Sequence, residues 1–188
     1  MANKHILIVP GDGIGQEVTA VGKKVLDKIA AKFGHTFTYD TALIGHVAIE
    51  ATGNPLPDES LEKMRKSDAV LFGAVGHPKY DNDPSAKVRP EQGLLKMRKE
   101  LGLYANIRPI KLFDELLGAS SIKPEILKGA DILFFRELTG DIYFGEKGRK
   151  NNGDTAYDVA EYSRYEVDRI ARKAFDAART RRKKLCSV

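Results

Sequence analysis

The sequence predicts an α/β fold in which helices flank a mixed, largely parallel sheet. Short, continuously apolar runs predict strands that are buried on both faces, and segments with helical periodicity lie between them. The runs are Ile6–Val9, Ala69–Phe72 and Ile132–Phe135. A chain of 188 residues, of which 42% are hydrophobic, is long enough for one domain or for parts of two.

The first strand leads into a glycine-rich turn, Pro10–Gly15, and then into a helix predicted from about Gln16 to Phe33. Gly34 is expected to end this helix, and His35–Asp40 alternates like a strand. A short helix follows, with Asp58 as its predicted N-cap. The apolar residues on one face of the first helix are Val18, Val21, Val25, Leu26 and Ile29.

The middle of the chain is predicted to be a loop from 77 to 90, because prolines, among them Pro84, alternate with charged residues there. A helix is expected over Glu91–Leu101 and a strand over Tyr104–Ile110. A hairpin-like region then runs from Ile142 to Tyr162.

The last helix is predicted to begin at a capping box formed by Ser163 and Glu166. Its apolar stripe has the spacing of a helix face that packs on a core. The residues of this stripe are Val167, Ile170, Ala171, Ala174, Phe175 and Ala178.

The composition excludes several classes of function. The formal net charge of +5 is concentrated in the basic run 179–184, so it indicates the end of one helix and no nucleic-acid partner. No apolar run reaches the roughly 18 residues that cross a membrane, and no secretory signal precedes the first strand. A single cysteine, Cys186, forms neither an intrachain disulfide nor a zinc cluster. We expect a soluble cytoplasmic protein.

The glycine-rich turn satisfies only part of the dinucleotide-binding pattern. Gly11 and Gly13 fit the spacing, but Gln16 stands where the third glycine is required. Such partial matches are often simple tight turns, so both readings stay open.

Three arginines stand out as candidate substrate ligands. Arg98, Arg108 and Arg136 suit a small substrate with more than one carboxylate, because a guanidinium holds a carboxylate in a bidentate fork. Leu94 and Leu95, just ahead of Arg98, point to a substrate with an apolar branch. Each arginine alone is more often a surface ion pair, and each leucine an ordinary packing residue.

These segments resemble the isocitrate/isopropylmalate dehydrogenases, a family of β-decarboxylating dehydrogenases. The resemblance runs over nearly the whole chain but covers only about half of a family member. The family's two-lobed fold implies that residues 1–103 begin the cofactor-side lobe and residues 104–188 begin the dimerisation lobe. The segments that carry the resemblance are Val9–Val18, Gly93–Arg98, Asn106–Pro109, Phe135–Gly140 and Thr139–Glu146.

The resemblance implies oxidative decarboxylation of 3-isopropylmalate with NAD, a step of leucine biosynthesis. The three arginines would clamp the malate carboxylates, and Leu94 and Leu95 would contact the isopropyl group. Tyr143 would act as the general acid that protonates the enol. Ile14 and Glu91 would contact the cofactor.

The resemblance also implies partners that this chain does not supply. Mg²⁺ or Mn²⁺ would be held by aspartates beyond residue 188, so no metal ligand is assigned here, and the family's catalytic lysine would also lie beyond that point. The chain alone is therefore expected to be inactive, with apolar surface exposed, and the longer protein to be a homodimer. Asp141 stands where the family usually has glycine, and Gln16 where it has proline. The alternatives are a tartrate- or homoisocitrate-type dehydrogenase of the same family, or a non-catalytic binding or assembly module.

Overall fold

The computed structural model describes residues 1–81, 83 and 85–188. Asn82 and Pro84, which belong to the predicted 77–90 loop, lie outside the described residues. The chain forms two compact units, Met1–Leu101 and Gly102–Val188. Their division falls near the boundary proposed above, and their assignment to a cofactor-side lobe and a dimerisation lobe stays a prediction.

The first unit is a parallel α/β layer. Its three strands are ordered β2-β1-β3 and both pairings are parallel, as predicted for the apolar runs. The elements are β1 (Asn3–Gly11), α1 (Gly15–Phe33), β2 (Thr36–Thr41), α2 (His46–Thr52), α3 (Asp58–Lys66), β3 (Ala69–Ala74) and α4 (Pro90–Glu100). Gly34 ends α1 in the left-handed conformation, as predicted.

The core of this unit lies on the face of β1 that is remote from α1. Leu7 and Val9 are fully buried there and alternate with Ile6 and Ile8, which lie on the other face. Truncating Leu7 to alanine is expected to cost about 2–5 kcal/mol of unfolding free energy. The residues packed with Leu7 and Val9 are Ala42, Ile44, Leu56, Leu61, Met64 and Met97.

Four of the five residues in the predicted apolar stripe of α1 do not face the sheet, and only Leu26 is half-buried. Gly15 and Thr19 are buried and Gly22 lies against Leu71, so small residues form the packed face of the helix. Small residues let the helix backbone approach the strands closely, and the branched residues are left on the outside. The exposed members of the stripe are Val18, Val21, Val25 and Ile29.

The predicted cap of α3 is also wrong. Asp58 is the first helical residue, and Pro57 occupies the N-cap position without a side-chain hydrogen bond. The Asp58 carboxylate instead accepts a hydrogen bond from the ammonium group of Lys96 at 2.9 Å. Near a helix N-terminus this carboxylate still interacts favourably with the helix dipole.

The second unit has two antiparallel strand pairs, β4 with β5 and β6 with β7. The run Ile132–Phe135 is therefore not a buried parallel strand: it lies in β5, where Ile132 and Phe134 are about half exposed. The β6–β7 pair confirms the predicted hairpin. The elements are β4 (Ala105–Lys111), α5 (Pro124–Leu127), β5 (Asp131–Glu137), β6 (Lys147–Lys150), β7 (Thr155–Asp158) and α6 (Arg164–Arg179).

The capping box of α6 is confirmed. The backbone N–H of Glu166 donates to the Ser163 hydroxyl at 3.3 Å, and that of Ser163 donates to the Glu166 carboxylate at 2.6 Å. The apolar stripe of α6 is not a buried face, because Val167 and Phe175 are half exposed. No helix among the described residues is long and apolar enough to cross a membrane.

Candidate functional site

The buried carboxylate of Asp12 joins three segments at the carboxyl end of the parallel sheet. Its Oδ2 accepts hydrogen bonds from the backbone N–H groups of His46 and Gly76, both at 2.9 Å, and its Oδ1 accepts one from Val47 at 3.1 Å. Only 2% of Asp12 is exposed. The turn after β1, the start of α2 and the segment after β3 are thereby held together.

Sequence reasoning missed the role of Asp12. The available signal was an acidic residue inside a glycine turn directly after a buried strand, where backbone donors from neighbouring loops converge. Gly45 belongs to the same arrangement, since it has a φ of +80° and a Cβ there would lie 2.3 Å from the Asp12 carboxylate. Only glycine meets both conditions.

The glycine turn allows the start of α1 to pack closely against β1. A Cβ on Gly15 would lie 2.0 Å from the carbonyl oxygen of Pro10, so the start of α1 sits directly against β1. The side-chain amide of Gln16 donates to the carbonyl of Gly11 at 3.0 Å and closes the turn from within. The residue that breaks the dinucleotide-binding pattern therefore stabilises the turn.

The predicted cofactor-side residues lie near this edge of the sheet. Ile14 is the N-cap of α1 and is 65% exposed. Glu91 lies in the first turn of α4, and its carboxylate is 3.5 Å from the position that a Cβ on Gly76 would take. In open α/β sheets, ligands bind outside the carboxyl ends of the strands.

A pair of stacked histidines lies beside the Asp12 junction. The ring centroids of His46 and His77 are 3.9 Å apart, and the Nδ1 of His46 is 3.2 Å from the phenol oxygen of buried Tyr80. Glu50 is 3.8 Å from His46 and forms an ion pair with Lys79 at 2.8 Å. These contacts tie the start of α2 to the segment after β3.

Helix α4 carries three of the predicted substrate residues. Leu94 packs against the core of the first unit, which is its ordinary structural role. Leu95 and Arg98 are half-buried and lie three residues apart, so they share one face of the helix.

The other two arginines lie on one face of the β4–β5 pair. Arg136 is opposite Asn106 and Arg108 is opposite Phe134, and residues paired directly across two strands point to the same side. Arg108 and Arg136 are thus diagonal neighbours, and both are exposed. The Nε of Arg108 donates to the Asn106 side chain at 2.8 Å.

Tyr143 lies beside Arg136. The Nη2 of Arg136 donates to the phenol oxygen at 2.9 Å, and the guanidinium carbon is 5.5 Å from the ring centroid. Tyr143 is 38% exposed. The second unit therefore brings together two predicted carboxylate ligands and the predicted general acid.

Glu137 points to the opposite face of β5 from Arg136, where it meets α6. Burial acts to raise the pKa of the Glu137 carboxyl. Hydrogen bonds from the backbone of Gly140 and Thr139, from the Thr139 hydroxyl and from Arg169 outweigh this effect and hold the pKa below its ordinary value. Sequence reasoning assigned no role to Glu137 or Arg169.

Asp141 has a φ of +66°, in the left-handed region that disfavours residues with a Cβ. This conformation explains why glycine suits the position. Burial and the hydrogen bond and charge of Asp141 raise the pKa of Tyr162 above its ordinary value.

A family profile described as isocitrate/isopropylmalate dehydrogenase matches residues 5–188. The chain belongs to the isocitrate/isopropylmalate dehydrogenase family. A 3-isopropylmalate dehydrogenase of Rhodopirellula baltica is 56% identical over 188 residues, which are 99% of this chain and 52% of that protein. The chain thus spans about half the length of the curated relatives that it matches.

Two solved structures share the fold of this family. An apo β-decarboxylating dehydrogenase from Thermococcus kodakarensis has a TM-score of 0.64 and 32% identity, over 94% of this chain and 46% of that one. An isocitrate dehydrogenase from Methylococcus capsulatus has a TM-score of 0.71 and 28% identity, over 94% and 48%. The α/β fold predicted from the sequence is confirmed, and so is the resemblance to the family.

The family's metal is a poor match to the part of the chain that the structure describes. Among residues 1–81, 83 and 85–188, no group of three or more His, Cys, Asp or Glu side chains is arranged to hold a metal ion.

Proposed function

We propose that this chain provides the carboxylate clamp of an NAD-dependent 3-isopropylmalate dehydrogenase. The observation that carries the proposal is the hydrogen bond from Arg136 to Tyr143, on the sheet face that also presents Arg108. Two guanidinium groups there can hold carboxylates in bidentate forks, and Arg98 on α4 would supply a third. Cytoplasmic leucine biosynthesis is the proposed setting.

Tyr143 is proposed to donate the proton in the step that follows loss of CO2. A positioned phenol can act as a general acid, and its oxygen already accepts a hydrogen bond from Arg136. The positive charge of Arg136 would stabilise the phenolate that remains after donation. The side chain of Arg136 thus serves both substrate binding and proton transfer.

The branch of the substrate is proposed to contact Leu95. Its neighbour Leu94 packs on the core, whereas Leu95 is not among the residues packed there and lies one helical turn before Arg98. An apolar side chain at this point favours an isopropyl group and disfavours a third carboxylate, which would lose its hydrogen bonds to water. This selects 3-isopropylmalate over isocitrate.

NAD is proposed to bind at the carboxyl edge of the parallel sheet, beside Ile14 and Glu91. NAD would accept the hydride, and the residues of this chain would orient the substrate. Mg²⁺ or Mn²⁺ and a second copy of the chain are proposed partners of the complete protein.

The decisive experiment is a chimera in which this chain replaces the matching residues of the Rhodopirellula baltica relative. We expect NADH formation with 3-isopropylmalate, and much weaker turnover of isocitrate, tartrate and homoisocitrate. The 188-residue chain is assayed in parallel and is expected to be inactive. A folded chimera that prefers another of these acids would replace the proposed substrate, and one inactive with all of them would refute the proposal.

A further inference from the structure

We infer that Glu137 and Arg169 are positioning residues, whose partly buried ion pair fixes Arg136 relative to Tyr143. The inference rests on the function proposed above, because it gives the pair a purpose in that reaction. Neither residue touches the substrate face of the β4–β5 pair: Glu137 follows Arg136 in β5, and successive side chains of a strand point to opposite faces.

The Glu137 carboxylate organises the turn that follows β5. It accepts hydrogen bonds from the backbone N–H of Thr139 at 2.5 Å, from the Thr139 hydroxyl at 2.8 Å and from the backbone N–H of Gly140 at 2.9 Å. The Nη2 of Arg169 donates to the same carboxylate at 2.6 Å and also to the Thr139 hydroxyl. One carboxylate therefore joins the turn to α6.

Arg169 is itself held in place by two aromatic rings. Its guanidinium carbon is 4.5 Å from the ring centroid of Tyr104 and 4.8 Å from that of Tyr165. The side chains of Arg169 and Glu137 are only 17% and 7% exposed, so this pair is much less screened by solvent than a surface pair. The carbonyl oxygen of Tyr104 also accepts a hydrogen bond from the backbone N–H of Leu138 at 2.9 Å. Tyr104 therefore contacts both Arg169 and the turn that follows β5.

The turn from 138 to 140 is the direct connection between Arg136 and the segment of Tyr143. Its far end is held by Glu161: a Cβ on Gly140 would lie 3.1 Å from the carbonyl oxygen of Glu161, and the backbone N–H of Asp141 donates to the same carbonyl at 2.9 Å. The Glu137 carboxylate holds the near end, which follows Arg136. If the Glu137 contacts are lost, the turn loses the carboxylate that fixes its backbone. The Arg136–Tyr143 hydrogen bond should then be lost, although neither of its partners has changed.

The first test uses the isotope-labelled 188-residue chain. We would measure nuclear Overhauser effects between the Tyr143 ring and the Arg136 side chain in Glu137→Gln, Arg169→Met and Arg169→Lys. Arg164→Met is the matched control, since Arg164 is on the same helix, is 94% exposed and pairs only loosely with Asp168 at 3.7 Å. Circular dichroism and urea unfolding show whether each variant is folded.

We expect the Arg136–Tyr143 signals to be lost in Glu137→Gln and Arg169→Met, partly restored in Arg169→Lys and unchanged in Arg164→Met. Wild-type signals in a folded Glu137→Gln or Arg169→Met variant overturn the inference. If neither variant folds, Glu137→Asp decides, because it shortens the side chain by one methylene and withdraws the carboxylate from the turn and from Arg169 while keeping its charge. Weakened signals in a folded Glu137→Asp variant support the inference, and wild-type signals overturn it.

The second test introduces the same variants into the active chimera. Because small misplacements of reacting groups are costly, we expect kcat to fall by at least about tenfold, with a smaller change in KM. A kcat that stays within twofold of the parent chimera overturns the inference even if the signals are lost. If the parent chimera is inactive, only the proposed function is refuted. The first test then still decides whether the Glu137–Arg169 pair positions Arg136 and Tyr143.

Discussion

The carboxylate of Asp12 accepts a hydrogen bond from the backbone N–H of Gly76 at 2.9 Å, across 64 residues of the chain. Because the same carboxylate also accepts from the start of α2, three loops depend on one side chain. The carboxyl edge of the sheet is therefore organised by one side-chain acceptor that is almost fully buried.

Replacing this acceptor should destabilise the first unit. Asp12→Asn turns one of the two acceptor atoms into a donor that faces backbone N–H groups, which should lower the unfolding free energy by about 1–3 kcal/mol. Urea unfolding measures the change, with Asp81→Asn on the exposed surface as the control. If both variants lie within about 0.5 kcal/mol of the parent, the junction is not needed for stability.

The left-handed backbone at Asp141 gives a second prediction. Asp141→Ala and Asp141→Gly both remove the carboxylate, but only glycine also removes the Cβ. Asp141→Gly should therefore be more stable than Asp141→Ala by about 1 kcal/mol. In both variants the pKa of Tyr162 should fall toward its ordinary value, because the hydrogen bond and charge of Asp141 help to raise it. Equal stability of the two variants would show that the conformation carries no strain.

The ion pair of Glu137 should make stability depend on pH in the acid range. The pKa of Glu137 is depressed in the folded chain, so its contribution is fully present above the ordinary value of 4.5. It should be lost as the pH falls through the folded pKa. Urea unfolding of the parent and of Glu137→Gln should differ most at neutral pH and converge toward acid pH. A difference that grows toward acid pH would contradict the assignment of the shift.

Substitutions of the two leucines of α4 should affect different properties: Leu94 should matter for the stability of the fold, and Leu95 for the choice of substrate. Leu94→Ala removes packing against the core and should lower the unfolding free energy by about 1–3 kcal/mol. Leu95→Ala should cost less stability. In the chimera, it should reduce the preference for 3-isopropylmalate over malate by roughly 10–100-fold, the range expected for lost apolar contact. Comparing kcat/KM for the two acids measures this preference, and the opposite pattern would exchange the two roles.

Much of the fold follows from local signals. The apolar run of β1, the glycine that ends α1 and the capping box of Ser163 each depend on a few neighbouring residues, and each occurs as predicted. Arg136 and Tyr143, both named from the family segments, are in direct contact in the structure, and their roles in binding and proton transfer stay predictions.

The predictions that failed concern contacts between residues that are far apart in the sequence. Periodicity identifies an apolar stripe on α1, but the small residues Gly15 and Gly22 decide which face meets the sheet. The pairing of β5 with β4 is antiparallel, and composition alone does not distinguish this from a parallel strand. The role of Asp12 depends on backbone donors from α2 and from the segment after β3, and that of Glu137 depends on Arg169, 32 residues away, as well as on its local donors.

The exposed stripe of α1 has a consequence for the behaviour of this chain in different buffers. A shallow groove along the helix is lined by Val21, Val25 and Ile29, with Lys24, Lys28 and Lys32 interleaved. Two copies meeting along this groove would bring like ammonium charges together, so repulsion opposes clustering in dilute buffer. Added salt shortens the reach of that repulsion, to about 8 Å at 0.15 M, and leaves the apolar attraction in place. Raising the ionic strength, which disperses many charge-driven aggregates, should here promote the formation of clusters.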